Sequence, residues 1–315
     1  MMRLMAHRSA AAKALPLVLV LTLVWGTNWS LFPLAVREVS VWTFRAVSLT
    51  GAGILLLAFA RARGLSTVIP RAHWLPVTAA AVTYLVVWNV ASTYAAILIP
   101  SGQAAILGFT MPMWTVLIAW VVFRDRPTPR MWVAIALAAL GVGLLLVPAR
   151  AAYADAPAGF LLGLLAGFGW AVGTVVLKRA AVPVPALVLT GWQLLIAALP
   201  LWIGAVFFGW GQWFVPSWQT VLVITYIAIV PMAIGNAAWF AIVGLLPAGV
   251  AGLSSVMVPI VAMVTGAFVH GEPLGPYQLG AMVCCGSALA LALARPQERK
   301  EGSAGPPRTL GNADS

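Results

Sequence analysis

The sequence predicts an all-α membrane protein with ten transmembrane helices, arranged as two five-helix repeats of inverted topology with both termini in the cytoplasm. Composition is the first reason for this prediction. Hydrophobic residues make up 62% of the 315 residues and charged residues 8%, whereas an ordinary soluble domain has about 25% charged residues. The apolar segments are continuous over helix length, which favours helices over the alternating strands of a membrane barrel.

The second reason is an internal repeat, because the stretch from residue 89 to residue 130 recurs from residue 236. Each copy has an apolar helix, a short turn, a second apolar helix with a Pro midway, and a polar turn with one carboxylate. Such a repeat indicates a duplicated architecture. Five helices per copy is an odd number, so the second copy crosses the bilayer in the opposite sense. The matched pairs include Asn89 with Asn236, Pro100 with Pro247, Gly102 with Gly249, Pro112 with Pro259, and Asp125 with Glu272.

The third reason is the distribution of Lys and Arg. Most of the 18 basic residues fall in segments that share one side of a ten-span topology, while Arg37 and Arg150 fall on the other side. The positive-inside rule therefore places both termini in the cytoplasm. The turn at 124–127 is basic, and its repeat partner at 270–273 has lost every Lys and Arg, as an inverted repeat requires.

The elements follow in order from these observations. Residues 1–14 form a basic cytoplasmic N-terminus, and the apolar run after them is a first span because it lacks the cleavage site of a signal peptide. Residues 15–148 form the first repeat and 158–294 the second, joined by a loop at 149–157. Residues 295–315 are rich in Pro, Gly, Ser and charge and predict a disordered cytoplasmic tail. About 20 apolar residues per span place the helix centres near Leu23, Gly53, Tyr84, Pro112, Leu140, Gly167, Leu195, Ile229, Pro259 and Gly286.

The spans lack the residues that most membrane enzymes and ion-coupled pumps need. No Asp or Glu falls in the interior of a predicted span, which disfavours a proton relay or sodium site and excludes an aspartyl intramembrane protease. The only cysteines, Cys284 and Cys285, are adjacent and offer neither a disulfide nor a metal site of usual spacing. We therefore predict no catalytic residue, no metal and no cofactor. The net charge of +11 is spread over short loops, so it does not indicate nucleic-acid binding.

Neutral polar and aromatic residues cluster near mid-membrane. Tyr84, Trp88 and Ser92 recur at helical spacing with Asn89 beside them, so they share one face. They are candidates to line a pocket for an uncharged or zwitterionic solute; the alternative is helix packing. The predicted substrate-binding residues are Tyr84, Trp88, Asn89, Trp170, Trp192, Asn236, Trp239, Asn28 and Arg45.

Two further features each leave two interpretations, and a third has one. Pro112 and Pro259 lie near the centres of their spans, where a Pro removes a helix hydrogen bond and makes either a transport hinge or a static kink. Arg45 lies near the outer end of its span, where it either anchors at the headgroups or recognises a carboxylate. Gly159 and Gly163, continued by Gly167, form a small-residue ridge that lets another helix approach closely.

Several motifs together carry a family resemblance. They are Trp25-Gly26-Thr27-Asn28, Arg124-Asp125-Arg126-Pro127 and Ala138-Ala139-Leu140-Gly141-Val142-Gly143, with Trp170, Gln193, Pro259 and Gly286 in the second copy. Over about residues 15–294 the chain resembles the EamA-type members of the drug/metabolite transporter superfamily. This resemblance implies a ten-helix inverted-repeat fold, alternating access, and export of amino acids or related metabolites across the inner membrane of a bacterium.

The leading hypothesis is therefore a multi-pass inner-membrane transporter that exports small neutral or zwitterionic metabolites, amino acids above all. Its partners would be a small-molecule substrate and the lipid bilayer, and a monomer is compatible with these features. The second hypothesis is a flippase of lipids or lipid-linked metabolites, which needs a lateral opening for acyl chains and a polar groove. An enzyme is the least supported class, since the spans lack the necessary groups.

Overall fold

The computed structural model describes residues 2–28, 31, 35–99, 101–209, 216–270 and 275–293, and all regular secondary structure within these ranges is helical. Pro100, residues 271–274 and residues 294–315, which include the predicted tail, lie outside the described residues. The helices are α1 Met2–Asn28, α2 Val41–Ala62, α3 Arg71–Leu98, α4 Ser101–Gly108, α5 Met111–Phe123, α6 Pro129–Asp155, α7 Pro157–Ala180, α8 Ala186–Phe208, α9 Trp218–Leu245, α10 Ala248–Leu253, α11 Val258–His270 and α12 Pro276–Leu293.

Seven helical segments in the described chain are long and apolar enough to cross a membrane. One of them, Ala104–Phe123, contains the short turn between α4 and α5. Three shorter apolar helices, Lys13–Asn28, Val250–Ala262 and Pro276–Ala292, have between 10 and 17 residues. The chain is thus an all-helical, multi-pass membrane protein in the part that the structure describes.

Helices α3 and α9 each contain a π-helical turn, at Ala81–Val86 and at Ala228–Gly235. Such turns insert an extra residue into the helical register and are frequent at functional sites. The two turns begin at matching positions of the sequence repeat, eight residues before Asn89 and Asn236 respectively. Pro231 lies inside the second turn, where it has no N–H to donate.

Pro112 and Pro259 were predicted to lie inside continuous helices, but the structure differs. The helix breaks at residues 109–110, and Pro112 is the second residue of α5; a turn at 254–257 likewise precedes α11, in which Pro259 is second. At the start of a helix the missing Pro N–H has no intrahelical partner to lose. The span is therefore interrupted before each proline, and both prolines begin new helices.

The predicted connecting loop at 149–157 is also corrected. Helix α6 continues to Asp155, and only Ala156 separates it from α7. The segment after Pro148 is rich in Ala, the best helix former, so it extends the helix. The break falls at Ala156 because the following Pro157 disfavours helical backbone at the residue before it, and Ala156 has φ −133° and ψ 70°.

Glycines allow the closest helix contacts. A Cβ on Gly53 of α2 would lie 3.0 Å from the Gly191 carbonyl oxygen of α8, and a Cβ on Gly191 would lie 3.3 Å from the Gly53 carbonyl oxygen. The predicted ridge on α7 is confirmed, because Cβ atoms on Gly159 and Gly163 would lie 2.9 Å from Ile99 and 2.7 Å from Leu107. Small residues thus bring α7 against the end of α3 and against α4.

Candidate functional site

A cavity lined by both apolar and polar residues lies between α1, α2, α3, α7, α9 and the turn that joins α4 to α5. About 510 Å³ of this space is free of atoms, and the centres of water molecules can reach about 40 Å³ of it. Since one water needs about 10–15 Å³ by this measure, the cavity holds a few waters or the head group of a small solute. It is lined by Trp25, Asn28, Arg45, Leu85, Trp88, Asn89, Ser92, Phe109, Trp170, Met232 and Asn236.

Indole rings form the apolar part of the wall. Trp170 of α7 stands at their centre, with its ring centroid 5.1 Å from that of Trp25 and 4.8 Å from that of Trp88, both in edge-to-face arrangements. Pairs with this geometry stabilise one another beyond the area that they bury. The rings leave narrow, shaped space between them, which suits a small solute with an apolar portion.

Trp25 links α1 to the π-helical turn of α9. Its Nε1–H donates to the Pro231 carbonyl oxygen at 3.1 Å. A Cβ on Gly235 would lie 2.4 Å from the same nitrogen, so the indole requires glycine there. Trp25 belongs to the Trp25-Gly26-Thr27-Asn28 motif but is not among the predicted binding residues. That motif was the signal that could have placed Trp25 in the wall.

Arg45 lies inside the protein with 3% of its surface exposed. Its Nε–H donates to Thr93 Oγ1 at 3.2 Å, and Thr93 Oγ1 donates to the Asn89 carbonyl oxygen at 2.6 Å. A side chain held in this way does not reach the headgroups, so anchoring at the membrane surface is wrong for Arg45. It is the only ionisable side chain among the lining residues of the described chain.

The cavity wall also contains polar atoms without a protein partner. These are the Oδ1 atoms of Asn28, Asn89 and Asn236 and the Nε1 of Trp170. Buried polar groups are nearly always hydrogen-bonded, and an unpaired one is costly. The side chains that line the cavity therefore carry three acceptors and one donor that no protein group satisfies.

Three predicted binding residues do not line this cavity. Tyr84 is fully buried and donates its hydroxyl to Gln193 Oε1 at 3.0 Å, and Trp239 is fully buried behind Trp170, with ring centroids 5.7 Å apart. Trp192 lies further away, where its Nε1–H donates to the Thr67 carbonyl oxygen at 2.7 Å. Tyr84 and Trp239 support the wall from behind, whereas Trp192 packs at one end of α8.

The other six predicted residues, Asn28, Arg45, Trp88, Asn89, Trp170 and Asn236, do line the cavity, and their part in substrate binding stays a prediction. Ser92 lines it as well, as its helical spacing indicated. Leu85, Phe109 and Met232 were missed. The first and last of these precede Asn89 and Asn236 by four residues, so the sequence repeat could have suggested them as a pair.

Polar contacts outside the cavity join helix ends. Arg179 at the end of α7 pairs with Asp125 after α5, and Lys178 donates to the Val243 carbonyl oxygen at 2.8 Å. Near the start of α9, the Glu38 carboxylate accepts hydrogen bonds from the Ser217 N–H at 2.8 Å and from its hydroxyl at 2.9 Å. The hydrogen bond from the Ser217 backbone is the largest cause that lowers the pKa of Glu38 below its ordinary value.

Apolar helices around a cavity with both aromatic and polar side chains in its wall are the architecture of a multi-pass membrane transporter. The chain belongs to the EamA-like transporter family, whose sequence model matches residues 12–147 and 157–294. This match confirms the resemblance to EamA-type members of the drug/metabolite transporter superfamily that the sequence motifs indicated.

Curated relatives are similar at low identity. The chain is 29% identical over 192 residues to a "Probable amino-acid metabolite efflux pump" of Salmonella typhimurium, covering 58% of this chain and 64% of the pump. The chain thus spans less than two thirds of that relative. It is 26% identical over 255 residues to the "Uncharacterized inner membrane transporter YedA" of Escherichia coli strain K12, covering 81% of this chain and 82% of YedA.

A solved structure shares the fold. A chain described only as "Crystal structure of protein" superimposes with a TM-score of 0.73 at 20% identity, covering 89% of this chain and 96% of its own. At this identity the match supports the fold alone.

Proposed function

We propose that this protein is a secondary transporter of a bacterial inner membrane that exports small neutral or zwitterionic metabolites, amino acids above all, by alternating access. The observation that carries the proposal is the cavity, which combines one buried guanidinium, unpartnered amide oxygens and a wall of indoles. A zwitterion with an apolar side chain complements all three. The name of the Salmonella relative supports the same substrate class.

The proposal includes the ten-helix, inverted-repeat topology with cytoplasmic termini. Seven membrane-length segments and three shorter apolar helices can supply the spans. The paired π-helical turns and the paired interruptions before Pro112 and Pro259 fall at equivalent repeat positions. This equivalence supports two like-built halves, and the excess of Lys and Arg in alternate loops supports their opposite orientation.

The interruptions are the proposed moving parts. A Cβ on Gly252 of α10 would lie 3.3 Å from the Pro112 Cα and 3.3 Å from Thr115, so the two interrupted spans contact each other next to the breaks. A solute larger than a head group needs the helices around the cavity to separate, since the water-accessible space is small. Bending at the paired breaks allows such separation on either side in turn.

The apolar segments of the described chain that can span a membrane, such as Pro129–Pro148 of α6, contain no Asp or Glu. An intramembrane carboxylate is the usual carrier of a coupled proton, so we propose that the solute moves down its own gradient. Arg45 is proposed to recognise the solute carboxylate, because a guanidinium matches the two oxygens of that group.

The test uses the purified full-length protein in liposomes loaded with radiolabelled amino acids. We expect efflux of some of them without a pH gradient, and slower efflux for Arg45→Ala at equal protein content. A strict requirement for a pH gradient would contradict the uncoupled mechanism. Absence of flux for the whole panel would refute the substrate class.

One observation bears on the alternative, a lipid flippase. An apolar groove between α2, α3, α7 and α8, lined by residues such as Trp42, Val90, Leu165 and Phe208, is open to the membrane and can hold an acyl chain. No residue lines both this groove and the cavity, whereas a flippase must move a head group and its chains together. Movement of labelled lipid by the same liposomes, without amino-acid flux, would favour this alternative.

A further inference from the structure

We propose that the carboxamide oxygens of Asn89 and Asn236 form an ammonium-binding subsite, so that a solute must carry a protonated amino group to be transported. This inference rests on the proposed function, because it assumes that the cavity receives the transported solute. It adds which end of the solute is selected and which side chains select it.

The orientation of both amides is fixed by their partners. Asn89 Nδ2 donates to the Leu85 carbonyl oxygen at 2.6 Å, and Asn236 Nδ2 donates to the Met232 carbonyl oxygen at 2.9 Å. A carbonyl oxygen only accepts, so each side chain must turn its NH₂ group toward the backbone. The two Oδ1 atoms are therefore the ones that no protein group satisfies.

Both oxygens are buried hydrogen-bond acceptors that lack a donor. Asn89 is 1% exposed and Asn236 is 2% exposed, both line the cavity, and neither Oδ1 has a hydrogen-bond partner. They reach the cavity from α3 and α9, each eight residues after the start of a π-helical turn. Asn28 presents a third unpartnered Oδ1 from α1. Several acceptors around one space match the several N–H donors of an ammonium group.

Charge distinguishes between the kinds of solute that the cavity could bind. A metal cation would be repelled by Arg45, and the described cavity wall contains no carboxylate that could bind it. A simple anion would be attracted to Arg45 but would leave the amide oxygens unpaired. A zwitterion satisfies both, with its carboxylate at Arg45 and its ammonium at Asn89 and Asn236. The indoles of Trp25 and Trp170 add attraction for a cation placed over a ring.

The experiment compares solutes that differ only at the amino group. Liposomes with the full-length protein first report the flux of L-alanine, L-leucine and L-phenylalanine, each labelled. The competitors are then the N-acetyl derivative and the 2-hydroxy acid of each amino acid that is transported. Each lost charge-assisted hydrogen bond weakens binding by about tenfold or more, so we expect both analogues to compete at least about tenfold more weakly than the parent. Competition within about threefold would overturn the ammonium subsite and leave the amino-acid transporter standing.

Variants connect this selectivity to the two amides. Asn89→Leu and Asn236→Leu remove the oxygens at similar volume and should reduce the preference for the amino acid over its 2-hydroxy acid by about tenfold. Ser48→Ala is the matched control, because Ser48 Oγ is also buried without a partner but does not line the cavity; it should leave the preference unchanged. The wild-type competition decides the matter even if a Leu variant does not fold.

Two other outcomes are decisive. If no amino acid of the whole panel crosses, the proposed function fails and the subsite fails with it. If flux requires sodium and is abolished when choline replaces it, the amide oxygens bind a coupling ion, and the ammonium subsite is wrong.

Discussion

Replacement of Gly167 by Ala tests how closely α7 approaches the interrupted span. A Cβ at this position would lie 2.8 Å from the Gly108 carbonyl oxygen, 3.1 Å from the Leu107 carbonyl oxygen and 3.0 Å from Thr110 Oγ1. Two of these three atoms belong to the backbone at the end of α4, so they cannot rotate away as a flexible side chain would. The added methyl group must push α7 away from the α4–α5 turn.

The expected cost is the balance of two effects. In a helix interior Ala is favoured over Gly by about 1 kcal/mol, while overpacking of a tight contact costs about 1–3 kcal/mol. Because the clash is with backbone, we place the cost at the upper part of that range and the net destabilisation at about 1–2 kcal/mol. For a chain of this size the melting temperature should fall by about 2–5 °C.

Gly143→Ala is the matched control, since a Cβ on Gly143 of α6 has no neighbouring heavy atom within 4 Å. Both variants gain the same helix propensity, and only Gly167→Ala meets backbone. Thermal unfolding of the purified proteins in one detergent should therefore rank Gly143→Ala at or above the wild type and Gly167→Ala below it. Equal melting temperatures for the two variants would refute the close contact between α7 and the α4–α5 turn.

Four other outcomes can be measured on the same preparations. Arg45→Lys keeps the charge but loses the planar fork, so amino-acid efflux from liposomes should fall by about tenfold; wild-type efflux would contradict carboxylate recognition. Pro112→Ala should slow turnover more than it weakens binding, and equal effects would argue for a static break. Trp192→Phe should lower the melting temperature by a few degrees without changing solute affinity, because this side chain lies away from the cavity; a weakened affinity would contradict that placement. The Ser217 N–H lowers the pKa of Glu38 from its ordinary 4.5, so the stabilisation by the ionised carboxylate is present above that pH and is lost as pH falls through the lowered pKa; the melting-temperature difference between wild type and Glu38→Gln should shrink accordingly, and a constant difference would contradict it.

Much of the cavity wall could be predicted from sequence, because neutral polar residues are rare inside apolar spans. Asn89 and Asn236 could be predicted for that reason, and the sequence repeat aligns them with each other. Trp88 and Trp170 follow from their place near the centres of their spans. A polar side chain in a hydrophobic span needs a hydrogen-bonding partner or a ligand. Such residues therefore indicate positions that face the protein interior, and they can be recognised from sequence alone.

The remaining positions depended on features without a sequence signal. Tyr84 and Trp88 are four residues apart, and both rings contact Trp170 of α7, with centroids 5.2 Å and 4.8 Å from the Trp170 ring. Tyr84, however, lies inside the π-helical turn and is fully buried, and a Cβ on Gly173 of α7 would lie 2.1 Å from its ring. It therefore packs behind the cavity wall. Trp192 was placed in the pocket from its residue type, whereas its contact with Trp74, 5.2 Å between ring centroids, is a tertiary one that no local pattern encodes.

Because α3 contains the π-helical turn at Ala81–Val86, the number of residues in this turn determines which way the following side chains face. Loss of one residue from this turn would restore regular α-helix and rotate the rest of α3 by about 100°, with a shift of about 1.5 Å along the axis. Trp88 and Asn89 would then face a neighbouring helix or the lipid, although neither had been replaced. Under the proposed function, solute selectivity would therefore depend on the length of this segment as well as on side-chain identity. The cavity residues of two relatives can be compared only where that length is the same.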